Sequence, residues 1–469
     1  MAEAGACVCV DFGSTFTKAS LVDLRQGRIV ASAEHPTTLP GIEGARDILD
    51  GLASCRRSLA AQDGRTAAAE VLACSSAGGG LRIAVVGNEE LVTAEAGRRV
   101  ALSSGGKVVA VVAMASGAHE TDLSTMVRDT APDVVLLSGG TDGGNAASLV
   151  TGARALLESR WGGPVVVAGS ADARDEVAEL LAGVPHVLAD NVVPRIGVLA
   201  PDSARAAIRE MFLAHVIGGK HLSASDEFRR MVRGATPDVV LAGVELLARG
   251  LDEQRPGAGD VAVVDVGGAT TDVHSVVAID PETLPSGEGG LSREVVAATP
   301  VTRTVEGDLG MRWSAVSTVE TAGLTGETGL MAYAGTLADR PRHLPADDHE
   351  AECDERIAAE AAGRALRRHA GRARVVVSPE GRVVERTGKD LREVDLLVGS
   401  GGVLRHGRPG VAGRVLAGSV GDDVGGGWQL PRAPRVVVDT ESALCAVGLL
   451  SDTHPDAAHR IAQRLAEAG

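Results

Sequence analysis

Short apolar runs that end in Asp, Gly or Ser alternate along this chain with longer stretches of mixed polarity, an alternation that predicts an α/β protein. Val8-Cys9-Val10 reads as a strand that ends at Asp11, and Ser20–Leu24 with Arg28–Ala31 reads as a hairpin around Arg25-Gln26-Gly27. A helix near 43–61 follows, then strands at 81–86, 107–113, 133–138 and 164–168, with helices near 88–99 and 146–159. Two segments begin alike, Pro132-Asp133-Val134-Val135-Leu136 and Pro237-Asp238-Val239-Val240-Leu241, yet predict different elements. The first runs as a strand into Ser138-Gly139-Gly140. In the second, Thr236 caps and Pro237 occupies the first turn of a helix that reaches Gly250.

The Pro- and Gly-rich segment Asp252–Gly259 marks the expected boundary between a first domain, 1–255, carrying a long α/β extension, and a second, 256–469. Beyond it come a strand ending at Asp265, a polar loop Pro281–Arg293, a further loop Asp339–Glu352 and an amphipathic helix Asp354–His369. Strands near 374–377, 394–398 and 435–438 and helices near 440–450 and 455–467 close the chain.

Composition narrows the class. At 469 residues the chain exceeds one core and predicts about two to four domains. Hydrophobic residues make up 44% but aromatic ones only 2%, so the cores are expected to be built from Val, Leu and Ala. A net charge of -16 argues against nucleic acid or an anionic membrane as the main partner. Cys7 and Cys9 stand two apart on a strand and share a face, which favours a core role over metal ligation or a disulfide. Dispersed cysteines suit a reducing, cytoplasmic setting, and neither a signal peptide nor a membrane span is expected.

The candidate chemistry lies where apolar runs empty into small residues. Val8–Lys18 and Ala262–Asp272 follow one formula: an apolar run ending in Asp, then Gly, then small hydroxyl residues. Each predicts a hairpin whose carboxylate leaves the sheet where the backbone turns, and whose glycines and Ser/Thr offer amides and hydroxyls to phosphate. Two such hairpins facing one another would hold a metal ion between Asp11 and Asp265 and a triphosphate between their loops. A third run, Val394–Val398, empties into Gly399-Ser400-Gly401-Gly402, where a backbone without Cβ atoms would press on a flat purine or ribose. Glycine loops also end strands for turn geometry alone; the order of the three motifs gives this one its weight.

That order resembles the actin, sugar kinase and Hsp70 ATPase superfamily. Within it, Asp11–Lys18, Leu137-Ser138-Gly139-Gly140-Thr141-Asp142-Gly143-Gly144-Asn145 and Thr304-Val305-Glu306-Gly307-Asp308-Leu309-Gly310-Met311-Arg312 resemble the accessory proteins of glutamate mutase, also called methylaspartate mutase. That family is written MutL and is unrelated to the mismatch-repair protein of that name. The resemblance implies two ribonuclease-H-like, actin/Hsp70-type ATPase domains around a nucleotide cleft, with ATP and Mg2+ as cofactors. It implies a chaperone that uses ATP to release damaged cobalamin from an adenosylcobalamin-dependent mutase, a partner protein rather than a nucleic acid or membrane. Asp11 would hold the metal, and Asp265 would share it or orient the attacking water. Gly13, Ser14, Thr15, Thr17, Gly267, Gly268 and Thr270 would contact phosphates, with Lys18 facing either phosphate or solvent. Gly399, Ser400, Gly401 and Gly402 would contact the nucleoside.

A cobalamin held base-off is expected to need Asp-x-His-x-x-Gly, in which the aspartate orients a cobalt-ligating histidine. Asp272-Val273-His274, Asp347-Asp348-His349 and Asp452-Thr453-His454 begin that pattern, but Val277, Glu352 and Ala457 stand where it needs glycine. The chain is expected to act on a cobalamin enzyme rather than hold the cofactor in that manner. Two alternatives remain open at this level: a small-molecule kinase of the same superfamily, and a nucleotide-binding scaffold with little turnover. Ser138–Asn145 reads as a ligand site, a partner surface or a strand-to-helix turn; Trp161, Trp313 and Trp428 read as packing residues.

Overall fold

A computed structural model describes residues 5–40, 47–114, 120–278, 299–378, 381–423 and 426–468. The strands are, in chain order, β1 (Ala6–Phe12), β2 (Phe16–Asp23), β3 (Arg28–Pro36), β4 (Glu70–Ser75), β5 (Leu81–Gly87), β6 (Gly106–Ala113), β7 (Val134–Leu137), β8 (Val165–Val167), β9 (His186–Leu188) and β10 (Val232–Ala235). A short pair follows, β11 (Gly250–Asp252) and β12 (Arg255–Pro256). The remainder are β13 (Val261–Val266), β14 (Thr271–Val276), β15 (Val301–Glu306), β16 (Arg372–Ser378), β17 (Gly381–Thr387), β18 (Leu396–Ser400) and β19 (Arg435–Val438). Helices alternate with them, as an α/β chain requires.

Contacts divide the chain into two units, one built from Met1–Ala77, Val239–Ala278 and Pro300–Gly469, the other mainly from Gly78–Asp238. Both sheets that carry an acid-tipped hairpin belong to the first unit, and the α/β extension forms the second. In the first unit one sheet runs β3-β2-β1-β4 and the other β15-β14-β13-β18-β19. Each begins with an antiparallel meander of three strands, and its first strand then takes a parallel neighbour, β4 beside β1 and β18 beside β13. This is the ribonuclease-H-like topology, present twice.

Burial on both faces explains why β1 and β13 read as continuous apolar runs. Cys7, Cys9 and Cys74 share one core with Val261, Val263, Leu396 and Val398 and with the helices Ala443–Leu450 and Pro455–Glu467. All six cysteines are free and buried, in line with the packing role read for Cys7 and Cys9. On the opposite face of the second sheet, Ala262, Val264 and Val266 meet Ile357, Ala358, Ala361, Ala362 and Ala365 of the helix Asp348–His369. Alanine in place of aromatic side chains lets that helix lie close to the sheet.

This helix begins earlier than its expected start at Asp354. Asp347 accepts a hydrogen bond from the Glu350 amide at 2.9 Å, an N-cap that converts the end of the supposed loop Asp339–Glu352 into helix. About two turns further in, Glu355 is almost wholly buried and receives Arg408 at 3.0 and 3.1 Å and Arg414 at 2.6 and 2.8 Å. Hydrogen bonds from Arg414, then Arg408, hold its carboxyl down from 4.5 to about 2. Glu355→Gln is expected to destabilise the unit by about 2 kcal/mol, less than a fully buried pair would cost because both arginines regain water. The folded carboxyl is the more acidic, so its contribution is complete above pH 4.5 and fades as pH falls toward 2. Denaturant melts across that range should show wild type and variant converging.

The helices Thr236–Arg249 and Ala443–Leu450 cross with almost no separation. A Cβ at Gly243 would lie 2.2 Å from the Leu444 carbonyl oxygen, and one at Gly448 would lie 1.9 Å from that of Val239. Thr236–Arg249 is the helix its Thr-Pro start predicted.

The second unit carries five parallel strands in the order β6-β5-β7-β8-β9. By order of appearance this is 2-1-3-4-5, the doubly wound arrangement whose strand order reverses between β5 and β7. The expected strands at 81–86, 107–113, 133–138 and 164–168 are present, while β4, β9, β10, β11, β12, β15 and β17 have no counterpart in the sequence reading. The segment expected as helix 88–99 opens with one wide turn, Glu90–Ala94, before the helix Glu95–Ser103. The loop Pro281–Arg293 and the first part of the helix expected at 43–61 lie outside the described residues; the helix is present over Leu49–Gln62. Among the described residues no helix is long and apolar enough to cross a membrane.

Candidate functional site

The β1–β2 hairpin pairs Asp11 with Lys18 and Phe12 with Thr17, and Lys18 in turn pairs with Glu34 of β3. Directly paired residues share a face, so Asp11, Lys18 and Glu34 stand together while Phe12 and Thr17 face the other way. The Gly13 amide donates to the Phe16 carbonyl at 3.1 Å and closes a four-residue loop. Thr37 ties that loop from behind: its amide donates to the Thr15 carbonyl at 2.9 Å and its hydroxyl to the Gly13 carbonyl at 2.8 Å. Thr17, fully buried, bonds the same Thr37 hydroxyl at 3.3 Å and so stands behind the loop, not in front of it.

The β13–β14 hairpin repeats this plan. Asp265 pairs with Asp272 and Val266 with Thr271, and the Gly267 amide donates to the Thr270 carbonyl at 2.9 Å. A Cβ would lie 2.7 Å from that accepting oxygen at Gly267 and 2.7 Å from its counterpart at Gly13, so both turns need glycine for one reason. Here the tether is the segment after β15: Met311 and Arg312 donate amides to the Gly267 and Gly268 carbonyls at 2.9 and 2.7 Å, and the Ser314 hydroxyl donates to that of Ala269 at 2.7 Å. Gly310 allows the approach, since a Cβ there would sit 2.7 Å from the Ala269 carbonyl carbon. With carbonyls tied back, the amides of Ser14, Thr15, Gly268 and Ala269 have no protein acceptor among the described residues.

The two loops meet. A Cβ at Gly268 would lie 3.1 Å from the Thr15 hydroxyl, itself buried and without a hydrogen-bond partner. A buried hydroxyl left without a partner is costly, and here it lies beside Gly268, whose amide has no protein acceptor among the described residues. Thr270 spends its hydroxyl on Asp272 at 3.0 Å.

Charge is arranged unequally across the hairpins. Asp272 occupies the place that Lys18 holds in the first, and buried Arg303 neutralises it, with Nε at 2.8 Å and a second contact through Nη2. Asp265 therefore stands beside a carboxylate that is already paired. Arg303 and burial also affect His274, which is fully enclosed on β14: burial first, then that guanidinium, push it down to about 3. Cys74 of β4 places its thiol 3.8 Å from Asp11 and 3.4 Å from the Cys445 thiol.

At the third loop the glycines have steric reasons of their own. Gly401 has a φ of 117°, and a Cβ there would lie 2.3 Å from the Val266 carbonyl oxygen. A Cβ at Gly399 would press Leu404 and Leu416 at 2.8 and 2.9 Å, whereas Gly402 opens onto free space and Ser400 lies level with Asp265. The buried carboxyl of Asp439, just past β19, accepts the Ala443 and Leu444 amides at 2.7 and 3.1 Å and caps the helix they begin. Burial raises its pKa. From the helix Gly402–Arg405 and the residue after it, Arg405 and His406 reach Glu34 of the first sheet at 4.0 and 3.4 Å.

Sequence reasoning left Glu306 and Asp308 without a role. Both receive Arg368, at 2.6 Å and at 2.7 and 2.8 Å, which anchors the segment that braces the second loop. Burial raises Glu306, while its bond to Arg368 lowers Asp308. Thr37, Arg303 and Asp439 were missed altogether, because their partners lie far away in sequence and no local spacing marks them. Trp313 departs from the packing role read for it: in the bracing segment it is 58% exposed.

A family described as MutL protein matches residues 7–465. The chain is 34% identical over 471 residues to Protein MutL of Clostridium tetanomorphum, covering 98% of each. Among solved structures it overlaps an activator of 2-hydroxyisocaproyl-CoA dehydratase from Clostridium difficile with bound ADPNP (TM-score 0.32, 10% identity, 96% and 95% of the two chains). It also overlaps a glycerol dehydratase reactivase (TM-score 0.34, 13% identity, 96% and 100%). Those overlaps are too loose to bear on function. By the match along nearly its whole length, the chain belongs to the MutL protein family, the family its sequence motifs resemble.

Proposed function

We propose that this chain is an ATP-dependent reactivating chaperone for an adenosylcobalamin-dependent mutase, glutamate (methylaspartate) mutase, and that it promotes release of damaged cobalamin. The observation that carries the nucleotide part is the meeting of two equal four-residue loops, with the Thr15 hydroxyl against Gly268 and free amides on both sides. Family membership supports the choice of partner.

In this reading the amides and hydroxyls of Ser14, Thr15, Gly268 and neighbouring residues bind the phosphates, and Lys18, on the face of Asp11, adds positive charge. Asp11 and Asp265 are the two carboxylates that would hold Mg2+, which ordinarily takes one or two carboxylates with phosphate and water. Bound there, the ion would neutralise charge on the phosphates. Asp265 orients the attacking water, and Arg303 keeps Asp272 from competing for the same cation. Gly402 and Ser400 line the nucleoside end. Hydrolysis changes what the two loops hold between them, and a two-state closure is the kind of motion that opens a partner's pocket.

The purified protein should release phosphate slowly from ATP with no acceptor present. ADP formation that depends on an added small-molecule acceptor would favour the kinase reading, and tight ATP binding without release the scaffold. With a mutase inactivated by turnover, added ATP and fresh adenosylcobalamin should restore activity only when this chain is present. Equal recovery without it would sink the proposal.

A further inference from the structure

We propose that the carboxyl edge of the second unit's sheet is the surface that docks the mutase, through a partner face of apolar side chains flanked by Lys and Arg. This rests on the reactivation reading and adds the place of contact.

Open parallel sheets place binding surfaces outside the carboxyl ends of their strands, at the point where strand order reverses. Here that point lies between β5 and β7, and the loop leaving β7 is Ser138–Asn145. The loop is held rigidly: Asn191 Nδ2 donates to the Gly140 carbonyl at 3.0 Å and to Asp142 at 2.9 Å, the Ala171 amide to Asp142 at 2.9 Å, and the Gly143 amide to Asp172 at 2.6 Å. A surface fixed in advance loses little entropy on binding.

Apolar exposure collects at the same edge. Leu91, in the turn after β5, is 69% exposed, and Ile196, in the loop after β9, is 74% exposed; Leu188 and Val198 add to it. Single exposed apolar residues are ordinary, but these four of the seven large ones recorded among the described residues stand at the carboxyl ends of one sheet. The Ile196 loop folds back over the β7 loop, since the Asp142 amide donates to the Pro194 carbonyl at 3.1 Å.

The charge of this edge names the partner's chemistry. Asp142 and Asp172 take their hydrogen bonds from amides, Asn191 and Ser170, all uncharged, so neither has a cationic partner among the described residues, and Glu90 is exposed beside Leu91. Exposed apolar side chains on the loops that carry Glu90, Asp142 and Asp172, with the exposed Arg195 beside Ile196 as the counter-charge, fit a partner face whose apolar centre is flanked mainly by basic groups. None of the residues proposed to bind nucleotide belongs to this unit.

The test is titration calorimetry of the full chain against purified mutase at low and high salt. Leu91→Asp/Ile196→Asp should weaken binding at least about tenfold, as loss of central anchors does. Glu90→Lys should weaken it less and flatten its salt dependence. Phosphate release without mutase should stay at the wild-type rate in both. If the double variant binds as well as wild type, or changes the sedimentation of the chain alone and not mutase binding, the docking surface is wrong. If wild type itself does not bind the mutase, the reactivation reading falls and this surface falls with it.

Discussion

Asp11→Ala and Asp265→Ala should each lower ATP-derived phosphate release by about a hundredfold or more, the scale set by removing a preorganised group from a site of developing charge. Neither should unfold the chain. Both carboxylates sit at strand ends and are partly accessible. Neighbouring threonines sharpen the expectation. Thr15→Val removes the unpartnered hydroxyl that faces Gly268 and should weaken nucleotide binding with little effect on stability. Thr17→Val removes a buried hydroxyl bonded to Thr37 and should cost about 1 kcal/mol of stability, with activity affected through the loop behind which it stands. Phosphate-release assays beside thermal melts separate the two patterns. If Asp11→Ala and Asp265→Ala retain wild-type turnover, the facing hairpins are not the ATP site.

Gly448→Leu is expected to have the largest effect on stability, a loss of at least about 4 kcal/mol that prevents folding in a marginal background. The obstruction is backbone: a Cβ would lie 1.9 Å from the Val239 carbonyl, and neither helix can yield without moving the core that holds Cys74, Val263 and Leu444. Gly243→Leu should behave alike, with the Leu444 carbonyl 2.2 Å away. Gly335, inside the helix Thr328–Asp339, is the control. Nothing lies within 4 Å of its Cβ position, so Gly335→Ala should stabilise by about 0.5–1 kcal/mol. Urea titrations of the three variants would show two midpoints lowered and one raised; equal effects would mean that the crossing is not where these glycines matter.

What was legible in the sequence was local. The acid-tipped hairpins announce themselves because apolar strand, Asp and Gly follow one another within a few residues, and the Thr-Pro start of Thr236–Arg249 is a cap written in two letters. The bracing of the loops was not legible. Thr37 and Met311–Ser314 act on carbonyls that their own sequence does not mention, and any residue with an amide would look the same. Asp347 was hidden among acidic neighbours, so its cap read as more loop. At Gly399 and Gly401 the sequence showed only a run of small residues, and their crowding by Leu404, Leu416 and Val266 is revealed by the packed structure. The strand order of the second unit was beyond reach for a similar reason, since neighbours in a parallel sheet are set by crossovers and not by adjacency.

The position of Trp313 has a spectroscopic consequence. With three tryptophans and one tyrosine in 469 residues, indole dominates the intrinsic emission of this protein. Trp428 lies under the Arg372 guanidinium, 4.9 Å from its ring centroid, and Trp161 packs against the core of the other unit. Trp313 is the water-facing one, between Arg312 and Ser314, whose bonds hold Gly268 and Ala269 in place. Occupancy of the loops should therefore shift the emission colour and quenching of a single native reporter, and Trp313→Phe should silence it without a dye or label.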